Sequence, residues 1–260
     1  MAQKVLLITP PFTQLNTPYP ATPYIRGFLN TKDVVSNQVD LGIEVILQLF
    51  SSQGLMSLFD SVEASKIASL ENSLRIYKLR RDYINTIDKV IGFLQDRNPT
   101  LAHIICESKY LPEASRFDQL DDLEWAFGTM GSRDKARHLA TLYLEDISDF
   151  IKEVVDSHFG FSRYAERLGL SANTFDELNA ELMKPASFID NMLLEILEKK
   201  MTLYKPDLVA LSIPFPGNLY GGLRCGQWLK STFPDVKIVL GGGYANTELR
   251  SISDVRVFEY

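Results

Sequence analysis

"PDLVALSIPFPGNLYGGLRCGQWLKSTFPDVKIVLGGGYANTELR", residues Pro206 to Arg250, decides the fold class. Asp207 to Ile213 is an apolar run that predicts a strand ending at prolines. Asn218 stands where a helix would begin, and helical spacing continues to Thr232. Lys237 to Leu240 predicts the next strand, which runs into Gly241, Gly242 and Gly243. Strands alternating with helices argue for a parallel sheet, because parallel neighbours need a crossover helix between them.

The N-terminal residues repeat the pattern. Lys4 to Thr9 is a short apolar run stopped by Pro10-Pro11, the signature of a strand covered on both faces. In "NTPYPATPYIRGFLNTKD" the prolines at 18, 20 and 23 keep a helix from starting before Pro23, which suits a first turn with Thr22 as its cap. Such a helix would end near Asn30. Val34 to Val39 predicts a second strand, and "DLGIEVILQLFSSQG" returns to helical spacing until about Gly54.

Between the two α/β pieces the pattern is helical. Asp60 and Glu63 open a stripe from Ile67 to Leu94 that stops at Asn98-Pro99. A second stripe, Ala136 to Val154, begins after Ser132, and a third follows the capping-box spacing of Thr174 and Glu177, with a break at Lys184-Pro185. The expected organisation is therefore 1–54 as the first part of the sheet domain, 55–204 as a helical insertion, and 205–260 as the second part. "VRVFEY", Val255 to Tyr260, is expected as a fifth strand. A strand with nothing after it to cover it suggests a chain that continues into a further domain.

Composition narrows the function. The chain of 260 residues is 45% apolar, enough for a sizeable core, and its net charge of −6 provides no broad basic field for nucleic acid. No apolar run reaches the ~18 residues of a membrane span and no basic leader precedes the first strand, so a cytoplasmic location without membrane contact is expected. Cys106 and Cys225 lie far apart, which rules out a CxxC site and predicts two packed thiols. "QLDDLEWAFG" lacks the spacing of a calcium loop and reads as a solvated helix start. His103, His138 and His158 all fall in the helical segment, where a surface or core role is the ordinary one.

In an open parallel sheet, ligands sit beyond the carboxyl ends of the strands where the strand order reverses. The candidate loops are Thr9-Pro10-Pro11, Ser212 to Asn218 with Pro214 and Gly217, and Gly241 to Asn246 with Gly242, Gly243 and Tyr244. The glycines would admit a bulky ligand against backbone or would serve tight turns alone. Gly221, Gly222 and Gly226 thin one face of the helix between the strands, for close packing or for a slot. Tyr19, Tyr24 and Phe28 would line a pocket or join the core, while Glu248 and Arg250 fit the first turn of a surface helix better than a ligand edge. Neither GxGxxG nor GxxxxGK[ST] occurs, which disfavours dinucleotides and nucleoside triphosphates.

"KVLLITPPF", "TPYPATPYIRGFLNT", "PDLVALSIPFPGNLYGGLRCGQWLKSTFP" and "KIVLGGGYANTELRS" together resemble the N-terminal cobalamin-binding region of cobalamin-dependent radical S-adenosylmethionine (radical SAM) proteins. The likeness covers the first 50 and last 55 residues. It implies an α/β, Rossmann-like (flavodoxin-like) parallel sheet with a large helical insertion and a cobalamin whose nucleotide tail is slotted between sheet and helices. By the resemblance, Ser212, Gly241 and Gly242 would flank that tail as binding residues, none of them catalytic. Cobalamin would carry a methyl group or assist a radical rearrangement. The 4Fe-4S cluster and S-adenosylmethionine would belong to a C-terminal radical SAM domain in cis, because no CxxxCxxC occurs here. The Asp-x-His-x-x-Gly that supplies a lower cobalt ligand in other cobalamin proteins is replaced by "TPPFTQLN", so a cobalamin without a protein histidine is implied. The alternative is a cofactor-free module on the same fold that binds another small molecule or a protein partner.

Overall fold

KVLLIT forms strand β1, Lys4–Thr9, and its Leu and Ile side chains are buried on both faces of the sheet. The computed structural model describes residues 3–12, 15, 19–107, 109–119, 131–161, 166–170 and 175–260. Helix α1, Ala21–Asn30, connects β1 to β2, Val35–Asp40. Later come β3, Leu208–Ser212, and β4, Lys237–Gly241. All pairings are parallel and the order is β2-β1-β3-β4. The chain thus steps from β1 to one side and then returns to the other, which places the reversal between β1 and β3, as in a flavodoxin-like, Rossmann-like α/β fold. Edge strands β2 and β4 carry the polar residues Ser36, Asn37, Gln38, Asp40 and Lys237, as exposed edges require.

The remaining helices in chain order are α2 (Leu41–Leu49), α3 (Ser52–Asp60), α4 (Ala64–Ile67), α5 (Glu71–Lys78), α6 (Arg80–Leu94), α7 (Leu101–Glu107), α8 (Ser132–Phe150), α9 (Glu166–Leu170), α10 (Asp176–Leu182), α11 (Phe188–Tyr204), α12 (Leu219–Thr232) and α13 (Gly243–Thr247). The chain divides into two compact units, Met1–Ile46 with His158–Tyr260, and Leu47–Ser157. These limits differ from the 54 and 204 of the sequence pattern because α10 and α11 are bound to the sheet's own helix α12. Arg224 of α12 donates to Leu182 O at 2.9 Å and Glu181 O at 3.3 Å, and it meets Asp190 of α11 at 3.1 Å. Helical periodicity alone carries no information about which unit a helix joins.

Several local expectations change. Pro20, not Thr22, stands at the cap position of α1, which has no side-chain cap bond, and Thr22 is buried within the first turn. Gly54 does not end a helix but lies in the first turn of α3, where its N–H donates to the Ser51 cap at 3.0 Å. The stripe from Ile67 to Leu94 is distributed over α4, α5 and α6 instead of one long helix. Thr174 lies outside the described residues, as do most of "QLDDLEWAFG". A capping box does exist at Ser187 and Asp190 on α11, where each side chain accepts from the other's backbone N–H. "VRVFEY" is no strand. Val255–Glu259 forms a 3-10 turn, opened by Asp254 accepting from Arg256 N and pinned by Tyr260 OH to Asn179 Oδ1 at 2.5 Å. β-propensity there loses to these side-chain bonds.

In the helical unit the central polar group is Asp146 of α8, fully buried. Its carboxylate accepts from Ala114 N and Arg116 N, each at 3.0 Å. Burial is the main cause that pushes its pKa up to about 6, against those two bonds, with the Asp149 charge adding to the rise. An unfolded aspartate titrates near ~3.9, so the folded state binds the proton more tightly. The stability that this protonation lends is present below about pH 4 and lost as pH rises through about 6. We expect the stability of the parent minus that of Asp146→Asn to fall by about 2–3 kcal/mol between pH 4 and pH 7. Urea titrations at both pH values measure this, and a difference that does not change with pH contradicts it.

Candidate functional site

Strand alternation sorts the sheet into two faces. Val209, Leu211 and Ile213 share one face with their β4 neighbours Ile238 and Leu240. Helix α12 packs there, close enough that a β-carbon on Gly222 would stand 2.4 Å from Ile213 Cδ1. The opposite face carries Val5, Leu7 and Thr9 of β1, Leu208, Ala210 and Ser212 of β3, and Val239 and Gly241 of β4. Helix α1 serves this second face over β2, where Ser36 Oγ donates to Asn30 Oδ1 at 3.2 Å.

Over β3 and β4 the second face is open. Val239 is 49% exposed, Ala210 is half-buried, and among the described residues nothing lies within 4 Å of the β-position of Gly241. Parallel strands ordinarily have both faces covered, so this strip is an exception. Beside it Ser212, paired in register with Gly241, is only 7% exposed, and its Oγ has no hydrogen-bond partner among the described residues. A buried hydroxyl left unpaired costs about 1–3 kcal/mol, so a site that leaves one next to open space is suited to a ligand that completes it.

The other residues singled out from sequence divide into two groups. Thr9, Pro10 and Pro11 are buried under the loop after β3. Phe12 N donates to Gly217 O at 3.3 Å and Asn218 Nδ2 donates to Pro10 O at 2.7 Å. Asn218 therefore stands at the cap position of α12 but makes no side-chain cap bond, since its amide is spent on the β1 loop. Its Oδ1 has no partner among the described residues. This junction at the β1/β3 reversal is packed backbone, and the Pro-Pro pair fills the place where other sheets of this order hold a ligand.

The loop after β4 folds back onto the loop after β3. Ile213 N donates to Gly241 O at 2.6 Å, and Tyr244 N donates to Ile213 O and Pro214 O at 3.1 and 3.2 Å. Gly242 has φ +108°, and a β-carbon on it would lie 2.5 Å from Ile213 O. It serves a tight turn. Gly243 is exposed, its β-position 3.4 Å from Pro214 O, whereas Tyr244 is buried with its hydroxyl donating to Gly169 O at 2.7 Å. Of the loop set, Ser212 and Gly241 are brought together beside open space. Ala210 and Val239 border them and escaped the sequence reading because they lie within strands, where an exposed and a buried apolar residue look the same.

Tyr24 and Phe28 on α1 are exposed and belong to no core, while Tyr19 meets the Phe215 ring edge-on at 5.9 Å. Burial pushes the Cys225 thiol well up, and Cys106, also raised by desolvation, donates to Ser132 O. His103 and His138 lie on α7 and α8, and His158 Nε2 is 3.6 Å from Glu181 Oε1. Among the described residues no three His, Cys, Asp or Glu side chains converge as metal ligands do. At the carboxyl end of β2, Asp40 Oδ1 accepts from Ile43 N at 3.0 Å, and burial raises its pKa. No single described helix is long and apolar enough to cross a membrane. Neither a family model, nor a curated protein, nor a solved structure matches the chain.

Proposed function

We propose that the open strip over β3 and β4 is a cofactor-binding surface and that the cofactor is a cobalamin, held for chemistry completed by a radical SAM domain in cis. One observation carries the reading: the buried, unpartnered Ser212 hydroxyl stands beside Gly241, whose β-position is empty. The resemblance in sequence assigns these two residues, together with Gly242, to the nucleotide tail. Ser212 supplies one hydrogen bond to the tail and Gly241 lets a flat group approach the strand backbone. Ala210 and Val239 give that group an apolar floor from which water is excluded. Gly242 holds the loop that presents Gly241 and makes no ligand contact of its own. Cobalamin, when bound, supplies methyl transfer or radical chemistry, while the protein positions it and shields it. No histidine stands after β1, where Pro10 and Pro11 are packed, so this chain offers the cobalt no imidazole there.

Equilibrium dialysis against hydroxocobalamin, with a visible spectrum of the retained fraction, tests the reading. Retention at cofactor concentrations of about 100 μM is expected. Ser212→Ala should weaken binding by about 0.5–1.5 kcal/mol, the worth of one neutral hydrogen bond. Replacing His103, His138 or His158 with Ala should leave the bound spectrum unchanged. Absence of retention, or a spectrum that shifts with one of the histidines, overturns the assignment and favours a cofactor-free module.

A further inference from the structure

On the α12 face, away from the strip assigned to cobalamin, the sheet unit contains a cavity of about 380 Å³. Leu211 of β3 and Ile238 and Leu240 of β4 form its floor, and Gly222, Leu223 and Gly226 of α12 form one wall. Ala245, Asn246, Leu249 and Arg250 form the other wall, and Val257, Phe258 and Tyr260 close the end. The volume falls in the range of small-molecule sites, which runs from roughly 300 to 1,000 Å³.

Its charged side chains share one sign, and Asn246 and Tyr260 add neutral polar groups. Lys230 and Arg250 line the cavity and no carboxylate side chain does. Lys230 Nζ is held at 2.5 Å by Phe258 O, which keeps an ammonium at the rim. Arg250 has no ion pair or hydrogen bond among the described residues, although its guanidinium offers a planar fork of donors. A β-carbon on the α12 residue Gly226 would stand 3.0 Å from the Tyr260 carbonyl carbon, so the backbone of Tyr260 packs against this glycine at one side of the cavity.

We infer that this cavity binds a small organic anion: an aromatic or branched apolar body with one carboxylate, its body between α12 and β4 and its charge on Arg250. The inference does not depend on cobalamin binding, since Ser212 and Gly241 face the other side of the sheet.

The probe is 2-naphthoate, with uncharged 2-naphthamide as its control, titrated into the full chain and read by ligand-observed NMR and calorimetry. Naphthoate should bind at least about tenfold more tightly than the amide, the scale of one charge-assisted hydrogen bond. Arg250→Gln should remove that preference. Ala245→Leu, which extends a side chain into the cavity, should abolish binding of both compounds at an unchanged melting temperature. A second filling variant, Leu249→Phe, covers the case in which Ala245→Leu does not fold. Ser212→Ala and saturating hydroxocobalamin should leave naphthoate affinity unaltered, which separates this site from the cofactor strip. No binding of naphthoate at millimolar concentration, equal affinity for acid and amide, or binding indifferent to the filling variants each overturns the inference.

Discussion

Asp190→Ala is expected to destabilise the sheet unit by about 3–5 kcal/mol, the cost of leaving one member of a buried ion pair alone. Asp190 is fully buried on α11, and Arg224 on α12 is nearly so. Their contact is 3.1 Å, and Tyr220 adds a hydroxyl that donates to Asp190 Oδ2 at 2.7 Å and accepts from Arg224 Nη2 at 2.8 Å. The same carboxylate accepts from Ser187 N at the start of α11. Removing it leaves the buried guanidinium without its counter-charge, and takes the acceptor from the Tyr220 hydroxyl and from Ser187 N at the helix start. Asp190→Asn keeps an acceptor for Tyr220 and should cost less, about 1–3 kcal/mol. The pair Asp190→Leu with Arg224→Met removes both charges and should recover at least half of the loss, because an apolar replacement of a buried pair is often neutral. Urea unfolding followed by the fluorescence of Trp228 on α12 measures all three. A loss under about 1 kcal/mol for Asp190→Ala would mean that α11 is not held to α12 through this carboxylate.

The strands that decide the sheet were legible because each is a short apolar run closed by proline or glycine, as at Lys4–Thr9 and Leu208–Ser212. "VRVFEY" has the same β-branched look but folds as a 3-10 turn, since Arg256 bonds back to Asp254 and across to Asp176. The bond to Asp176 depends on a residue 80 positions away and leaves no mark on local periodicity. The same holds for the membership of α10 and α11. Their apolar stripes predict helices, but only the buried Asp190 and Arg224 say which unit they join. At the site, Ser212 and Gly241 were legible as loop-edge residues, and their pairing follows from a register that one sequence cannot give. The openness beside them was not legible, because Val239 is chemically ordinary and its exposure depends on what covers the sheet.

Gly242→Val and Gly241→Val should give opposite results, although the positions are adjacent. Gly242 has φ +108°, a conformation that a β-branched residue reaches only with strain of about 1–3 kcal/mol. Its β-carbon would also meet the Ile213 O, C and N atoms at 2.5 to 2.6 Å, and backbone cannot move aside as a side-chain end can. Overpacking of this kind adds about 1–3 kcal/mol, for a total of roughly 2–6 kcal/mol. The loss should appear in the melting midpoint, because Ile213 and Tyr244 are joined by the turn that Gly242 makes. Gly241 has no positive φ and, among the described residues, nothing within 4 Å of its β-position. Valine there suits a strand and should leave the midpoint within about 0.5 kcal/mol of the parent. What it should change is binding. The added methyl groups occupy the space beside Ser212, so hydroxocobalamin affinity should fall at least about tenfold, or 1.4 kcal/mol. Thermal unfolding and dialysis on both variants separate turn from ligand surface. A stable Gly242→Val protein would remove the argument from the backbone collision, and a Gly241→Val protein that binds cobalamin as tightly as the parent would remove the strip from the site.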